Sequence, residues 1–240
     1  MKIDVIAFGA HPDDVELSVG GTLLSMAAKG YSTAIVDMTR GELGTRGTPQ
    51  IRASEAEAAA ALLKVTQRRN LMIPDGHVNL SDITRAAVIG VIREWKPTLI
   101  LAPLEHDLHP DHAWTGRIIT EAAFLAGIKR YPVDGEPHRP RTTLRYASHS
   151  LMEPNLVVDI TEHFEQKRTA CLAYKSQFHD PDSKEPQTYI SGKSFWDWWE
   201  ARARSYGHRI GVAYGEGLLH DGPLPVPDPV QLFRGYGYYP

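Results

Sequence analysis

Apolar runs of strand length alternate with helix-length segments along the first half of the chain, and this alternation constrains the fold more than any other feature. Residues 3–9 (IDVIAFG), 33–38 (TAIVDM) and 98–103 (TLILAP) read as buried strands, with a short strand candidate at 70–73. Between them, residues 14–29 carry Val15, Leu17, Leu23, Leu24 and Ala27 and stop at Gly30, which predicts a helix with a C-terminal glycine. Residues 50–64 are rich in Ala and Glu and strongly helical. A helix over 81–96 opens on Ser81 or Asp82 and closes before Pro97, and another over 110–127 ends at Gly127. This order predicts an α/β fold: a Rossmann-like, mostly parallel sheet with helices on both faces. Beyond residue 130 the pattern loosens. A loop is expected over 131–142, strands near 143–149 and 156–160, a helix near 161–176, a polar loop over 177–194 near the site, and a helix over 195–206. Pro at alternate positions in 223–229 predicts an extended Pro-rich tail over 223–240.

A length of 240 residues is expected to form one domain, 1–240, with a substantial core. At 42% hydrophobic the chain is too apolar to be disordered. A net charge of −3 offers no basic field, so nucleic acid is not an expected partner. The single cysteine, Cys171, excludes a disulfide framework and reads as buried filler. No apolar run reaches the roughly 18 residues of a membrane span, and the N-terminus has no basic region before its first strand; a cytoplasmic protein is expected.

The chemistry concentrates at two junctions. His11-Pro12-Asp13-Asp14 follows the first strand, and His109-Pro110-Asp111-His112 follows the strand at 98–103. A residue before proline avoids the α region, and proline suits the first position of a helix. Both histidines are therefore expected at the ends of extended segments, with Asp13, Asp14, Asp111 and His112 in the first turns of two helices. If the strands are neighbours, the junctions face one another across a cleft at the carboxyl edge of the sheet. Catalytic zinc takes three His or carboxylate ligands, and a spare carboxylate or imidazole serves as base, acid or oxyanion partner. Spacing alone leaves open which three of the six groups bind the ion.

AHPDD after a first strand, with HPDH about 100 residues later, resembles the LmbE-like (PIG-L) zinc-dependent N-deacetylases. Thr39-Arg40-Gly41-Glu42, the helix start around Arg52 and Gly215-Glu216-Gly217 extend the resemblance. The segments GELGTRGT, LHPDH, YKSQF and EARARSYG look most like the deacetylases of bacillithiol biosynthesis, which act on N-acetyl-α-D-glucosaminyl L-malate. The resemblance implies one Zn²⁺ per chain on His11, Asp14 and His112, although the ligand set suits Fe²⁺ as well. It implies Asp13 as general base, a protonated His109 as oxyanion partner or acid, and Asp111 as the group that orients an imidazole. Arg52 is expected to grip the malate carboxylates, with Arg46 and Glu42 as further substrate contacts. A homo-oligomer, trimer or hexamer, is also implied. Some members place an oxyanion-donating tyrosine late in the chain. Phe195 stands at that position, and Tyr189 is the candidate substitute.

Other readings are weaker. A dinucleotide-binding glycine fingerprint fails because His11 takes the second glycine position. A non-catalytic sugar- or metal-binding module has no use for Asp13 beside the ligands. A two-metal phosphoesterase needs more bridging ligands. Within the family, a mycothiol-type inositol conjugate or a chitooligosaccharide is the alternative substrate. His77, His138, His149, His163, His179, His208 and His220 are not expected to be ligands, FWDWW at 195–199 reads as core or subunit contact, and Gly20-Gly21 as a close-packing device.

Overall fold

A computed structural model of the chain describes residues 2–178 and 184–234. Five parallel strands, β1 (Val5–Gly9), β2 (Thr33–Asp37), β3 (Gln67–Asn70), β4 (Leu99–Pro103) and β5 (Thr142–Tyr146), lie in the order β3-β2-β1-β4-β5. Between them run α1 (Asp14–Ala28), α2 (Pro49–Leu62), α3 (Asp82–Trp95) and α4 (Pro110–Leu125). The expected parallel sheet with helices on both faces is the observed one. Alternate residues of β1 face opposite sides. Ile6 and Phe8 pack with Val88 and Ile92 of α3 and Ile118 and Ile119 of α4. Val5 and Ala7 pack with Val15, Val19 and Leu23 of α1. Burial on both faces explains why these strands are continuous apolar runs rather than alternating ones.

β1 pairs with β2 on one side and with β4 on the other, so the strand order reverses between β1 and β4. Crevices form at the carboxyl end of such a switch point, and both His-Pro-Asp junctions leave the sheet there. The second half adds β6 (Leu156–Asp159), a 3₁₀ turn at Thr161–His163, α5 (Phe164–Leu172), α6 (Lys193–His208), β7 (Gly215–Leu218) and α7 (Pro229–Arg234). β6 and β7 form a separate antiparallel pair. A third core cluster joins Leu17 of α1 to Phe164, Phe195 and Trp199, which makes the 195–199 aromatic run core-packing.

Several expected boundaries move. The strand near 70–73 lies at Gln67–Asn70, where half-buried Arg68 pairs with Asp37 (Nε to Oδ2, 2.8 Å) and Glu16 (Nη1 to Oε1, 2.5 Å); an ion-paired edge strand has no apolar signature. The helix expected over 161–176 is a 3₁₀ turn followed by nine helical residues. β7 is unexpected, because Gly215 and Gly217 carry little strand propensity. Both glycines are dictated by close approach: a Cβ on Gly215 would stand 2.8 Å from Gly207 N, and one on Gly217 3.0 Å from the Tyr206 ring. Within the expected extended tail, Pro229–Arg234 is a short exposed helix, and residues 235–240 lie outside the described residues. Cys171 is fully buried, and burial pushes its thiol far up. Among the described residues no helix is long and apolar enough to cross a membrane.

Candidate active site

The two junctions reach the crevice differently. Pro110 occupies the first turn of α4, and His109 before it is extended (φ −86°, ψ 122°), as the His-Pro step requires. Pro12 is not at a helix start. It lies in a turn, and α1 begins two residues later at Asp14. Asp13 therefore precedes the helix rather than joining its first turn, and it takes φ 119°, a region that side chains avoid. Such a conformation costs on the order of 1–3 kcal/mol and persists only where its surroundings impose it. Here the imposing group is Arg52 of α2, whose Nη2 donates to Asp13 Oδ2 at 2.8 Å while its Nε donates to Pro12 O at 3.0 Å. Gly41, at φ 66°, lies so close beneath the guanidinium that a Cβ would stand 2.3 Å from Arg52 Nη1.

Asp14 stands between two imidazoles. Its Oδ2 is 3.4 Å from His11 Nδ1, and its Oδ1 is 3.3 Å from His112 Nε2. The other ring nitrogens face carboxylates. His11 Nε2 lies 3.0 Å from Asp75 Oδ1 and 3.5 Å from Asp111 Oδ2, and His112 Nδ1 lies 3.2 Å from Asp107 Oδ1. A carboxylate on the far nitrogen is how metal-binding histidines are held in tautomer and orientation. Three overlapping groups have donor atoms close enough to share an ion: His11, His109 and His112; Asp14, His112 and His149; His11, Asp75 and Asp111.

Charge in the crevice is unbalanced. Asp13, Asp14, Asp75, Asp107 and Asp111 crowd one cluster, and the only guanidinium bonded to any of them among the described residues is that of Arg52. The titrations follow. Burial works against a charged His11, but its contacts to Asp111, Asp14 and Asp75 hold it well above the ordinary histidine range. His112, also opposed by burial, is raised to about 9 by Asp14 and Asp107. Despite its burial, Asp14 is held well below the usual carboxylate range by His112 and His11. Burial lifts Asp13 to about 7, against the pull of Arg52. The donor set of imidazoles and excess carboxylates suits a divalent cation.

A cavity of ≈ 270 Å³ opens on this cluster, bordered by Arg52, Asp75, His109, His149 and Gln177. The sequence-expected residues divide accordingly. His11, Asp13, Asp14, His109 and His112 line the cavity, and Asp111 stands behind His11, accepting from Gly76 N at 2.8 Å. Burial, and then the positive charge of His11 and His112, lower the pKa of His109, which opposes the protonated state expected for it. Arg52, expected to grip the malate carboxylates, lines the cavity, with three of its five N–H groups donating to Asp13, Pro12 and Gly41. Arg46 donates to Phe178 O at 3.2 Å, and Glu42 accepts from Asp75 N and Arg40 N, so both brace loops. Tyr189 is 68% exposed with its ring against buried Phe195.

Sequence reasoning missed Asp75 and set His149 aside. Asp75 sits in the Pro74-Asp75-Gly76 turn after β3, a carboxyl-edge loop like the other two. His149 follows β5 in the same way, but its expected strand ran through 149. His179 lies outside the described residues; His77, His138, His163, His208 and His220 are not in the cluster.

Residues 6–123 match the PIG-L family, GlcNAc-PI de-N-acetylase. Over these residues the chain belongs to this family. PIG-L relatives include the diacetylchitobiose deacetylase of Thermococcus kodakarensis, 27% identical over 233 residues that cover 89% of this chain and 81% of that protein. A probable N-acetyl-α-D-glucosaminyl L-malate deacetylase 2 of Bacillus cereus is 28% identical, covering 74% and 84%. The crystal structure of the conserved protein TT1542 from Thermus thermophilus superposes with a TM-score of 0.85 at 36% identity, covering 94% of this chain and 98% of that one.

Proposed function

We propose that the chain is a metal-dependent hydrolase that removes the N-acetyl group from a GlcNAc conjugate. One observation carries the reading: two adjacent carboxylates are put to different uses. Asp14 faces the inward nitrogens of His11 and His112, while Asp13 is turned away onto Arg52. A binding module has no need of the second, strained carboxylate. His11, Asp14 and His112 would hold the ion, zinc or iron(II). When bound, such an ion supplies Lewis acidity, acidifying water and polarising a carbonyl.

Asp13 accepts the proton of the attacking water. A carboxyl lifted to about 7 is matched to taking and returning a proton near neutrality. Arg52 fixes the direction of that carboxylate. The water oxygen bonds to the acetyl carbon, the C–N bond breaks, and the amine leaves with the proton that Asp13 took from the water, while His109, a neutral imidazole whose Nδ1 accepts from Asp111 N, borders the cavity beside the reacting group. Asp75 and Asp111 hold the ring of His11, and Asp107 that of His112.

For the aglycone, the sequence segments favour N-acetyl-α-D-glucosaminyl L-malate. A second reading, a neutral conjugate such as diacetylchitobiose, is favoured by the commitment of Arg52 to Asp13. A dianionic aglycone wants a cation, and Arg52 is the only arginine or lysine bordering the cavity among the described residues. The test is acetate release by zinc-loaded protein from the malate conjugate, diacetylchitobiose and N-acetylglucosamine side by side. A higher kcat/KM on the malate conjugate selects the first reading, and a higher value on diacetylchitobiose the second. No release from any of the three overturns the deacetylase assignment.

A further inference from the structure

His149 has no part in the mechanism above, yet its surroundings are built. It lies in the loop after β5, at the same sheet edge as the two His-Pro-Asp junctions. The two residues before it are clamped by a buried arginine of α6. Arg202 Nη1 donates to Ser148 O at 2.7 Å and to Ala147 O at 3.3 Å, and its guanidinium covers the Trp198 ring at 4.7 Å. The imidazole so placed stacks on His112, with ring centres 5.2 Å apart and planes within 19°. His109 flanks His112 as well, at 4.8 Å and 25°.

This geometry argues against His149 as a ligand to the same ion as His112. Nitrogens lie in the plane of their ring, so parallel rings 5.2 Å apart direct them along parallel lines, at neighbouring points rather than one. A ring nitrogen of His149 is nonetheless within 4.8 Å of donor atoms of Asp14 and His112. Among the described residues its Nδ1 is buried without a hydrogen-bond partner, and the ring lines the cavity. A polar atom left unpaired in a buried site is costly unless a ligand or water completes it. The carboxylates Asp75 and Asp111 gather on His11. The ring contacts of His149 are aromatic, with His112 and Phe195. On this side of the cavity one carboxylate, Asp14, shares the group with the His149 nitrogen, against the two that stand on His11 Nε2, so an oxygen that gains negative charge meets a hydrogen-bond donor here with fewer anions around it.

We infer that His149 is a catalytic residue of this site, an imidazole that hydrogen-bonds the carbonyl oxygen of the substrate acetamide next to the ion-binding group. The inference rests on the deacetylase reading. It is tested with His149→Phe, which keeps the stacked ring and loses the nitrogens, and His149→Gln, which keeps a donor and loses the ring. Zinc per chain, kcat and KM are measured for parent and variants on the best conjugate of the panel above. His149→Phe is expected to retain its zinc and to lose about 10²–10³-fold in kcat, the loss typical of one oxyanion donor, with KM within about threefold. His149→Gln is expected to recover part of that loss. Parent-like kcat in His149→Phe overturns the inference and leaves His149 a packing residue. Loss of zinc from His149→Phe overturns it in favour of a ligand role. No acetate release by the parent itself overturns the deacetylase reading, and this inference with it.

Discussion

Two buried carboxylate clusters touch α1, one at its first turn and one at its middle, and they are balanced in opposite ways. At the middle, Glu216 of β7 accepts from Gly21 N (2.9 Å), Thr22 N (2.6 Å), Thr22 Oγ1 (2.6 Å) and Lys167 Nζ (2.7 Å). One anion meets one cation, and both carboxylate oxygens are satisfied. At the first turn, five carboxylates meet a single guanidinium, and three of them, Asp13, Asp14 and Asp75, line an open cavity. Burial alone therefore does not mark a functional charge. A saturated, neutral cluster ties elements together, whereas an unbalanced one beside an open cavity calls for a cation and a substrate.

Substitutions that act on one cluster and spare the other break or sharpen this contrast. The largest effect is expected from Asp13→Asn, which removes the proton acceptor and keeps the shape. Acetate release should fall by about 10²–10⁴-fold, the usual worth of a general base, with zinc per chain unchanged. Lys167→Met attacks the other cluster. Leaving Glu216 buried without its cation should cost about 3–5 kcal/mol in a denaturant titration, while the folded protein keeps its zinc. Zinc addition separates the two by a smaller quantity. At free zinc a hundredfold above its Kd, binding stabilises by about 2.7 kcal/mol, or about 5–11 °C in Tm. Lys167→Met should show that increment from a lower baseline, and Asp14→Ala should lose it. The smallest effect is expected from Gly21→Ala, whose Cβ would stand 2.8 Å from Ile160 Cγ2 and 2.9 Å from Glu216 Oε1. Thermal unfolding should register a loss of about 1–3 kcal/mol from overpacking, with kcat retained.

The junctions after β1 and β4 were legible in the sequence because each requirement there is local: an apolar run, a His-Pro step and acidic or imidazole side chains next to it. Their meeting followed from the parallel order of the sheet. What was not legible depends on partners far along the chain. β3 reads as polar because Arg68 finds Asp37 and Glu16, 31 and 52 residues away. Arg52 reads as a free cation until Asp13, 39 residues away, takes its guanidinium. Gly215 and Gly217 hide β7, since their purpose is the close passage of Gly207 and Tyr206. His149 looks like any histidine at a strand end, and only the ring of His112 against it sets it apart. The backbone of Asp13 at positive φ has no sequence signature at all, because the strain is imposed by Arg52 and the turn that precedes α1.

The division of labour between the adjacent carboxylates is the centre of this account. Calorimetric titration of zinc into chelator-treated protein tests it most directly. One ion per chain is predicted for the parent and for Asp13→Asn, with affinity lost in Asp14→Ala. Parent-like affinity in Asp14→Ala, or its loss in Asp13→Asn, would contradict the account.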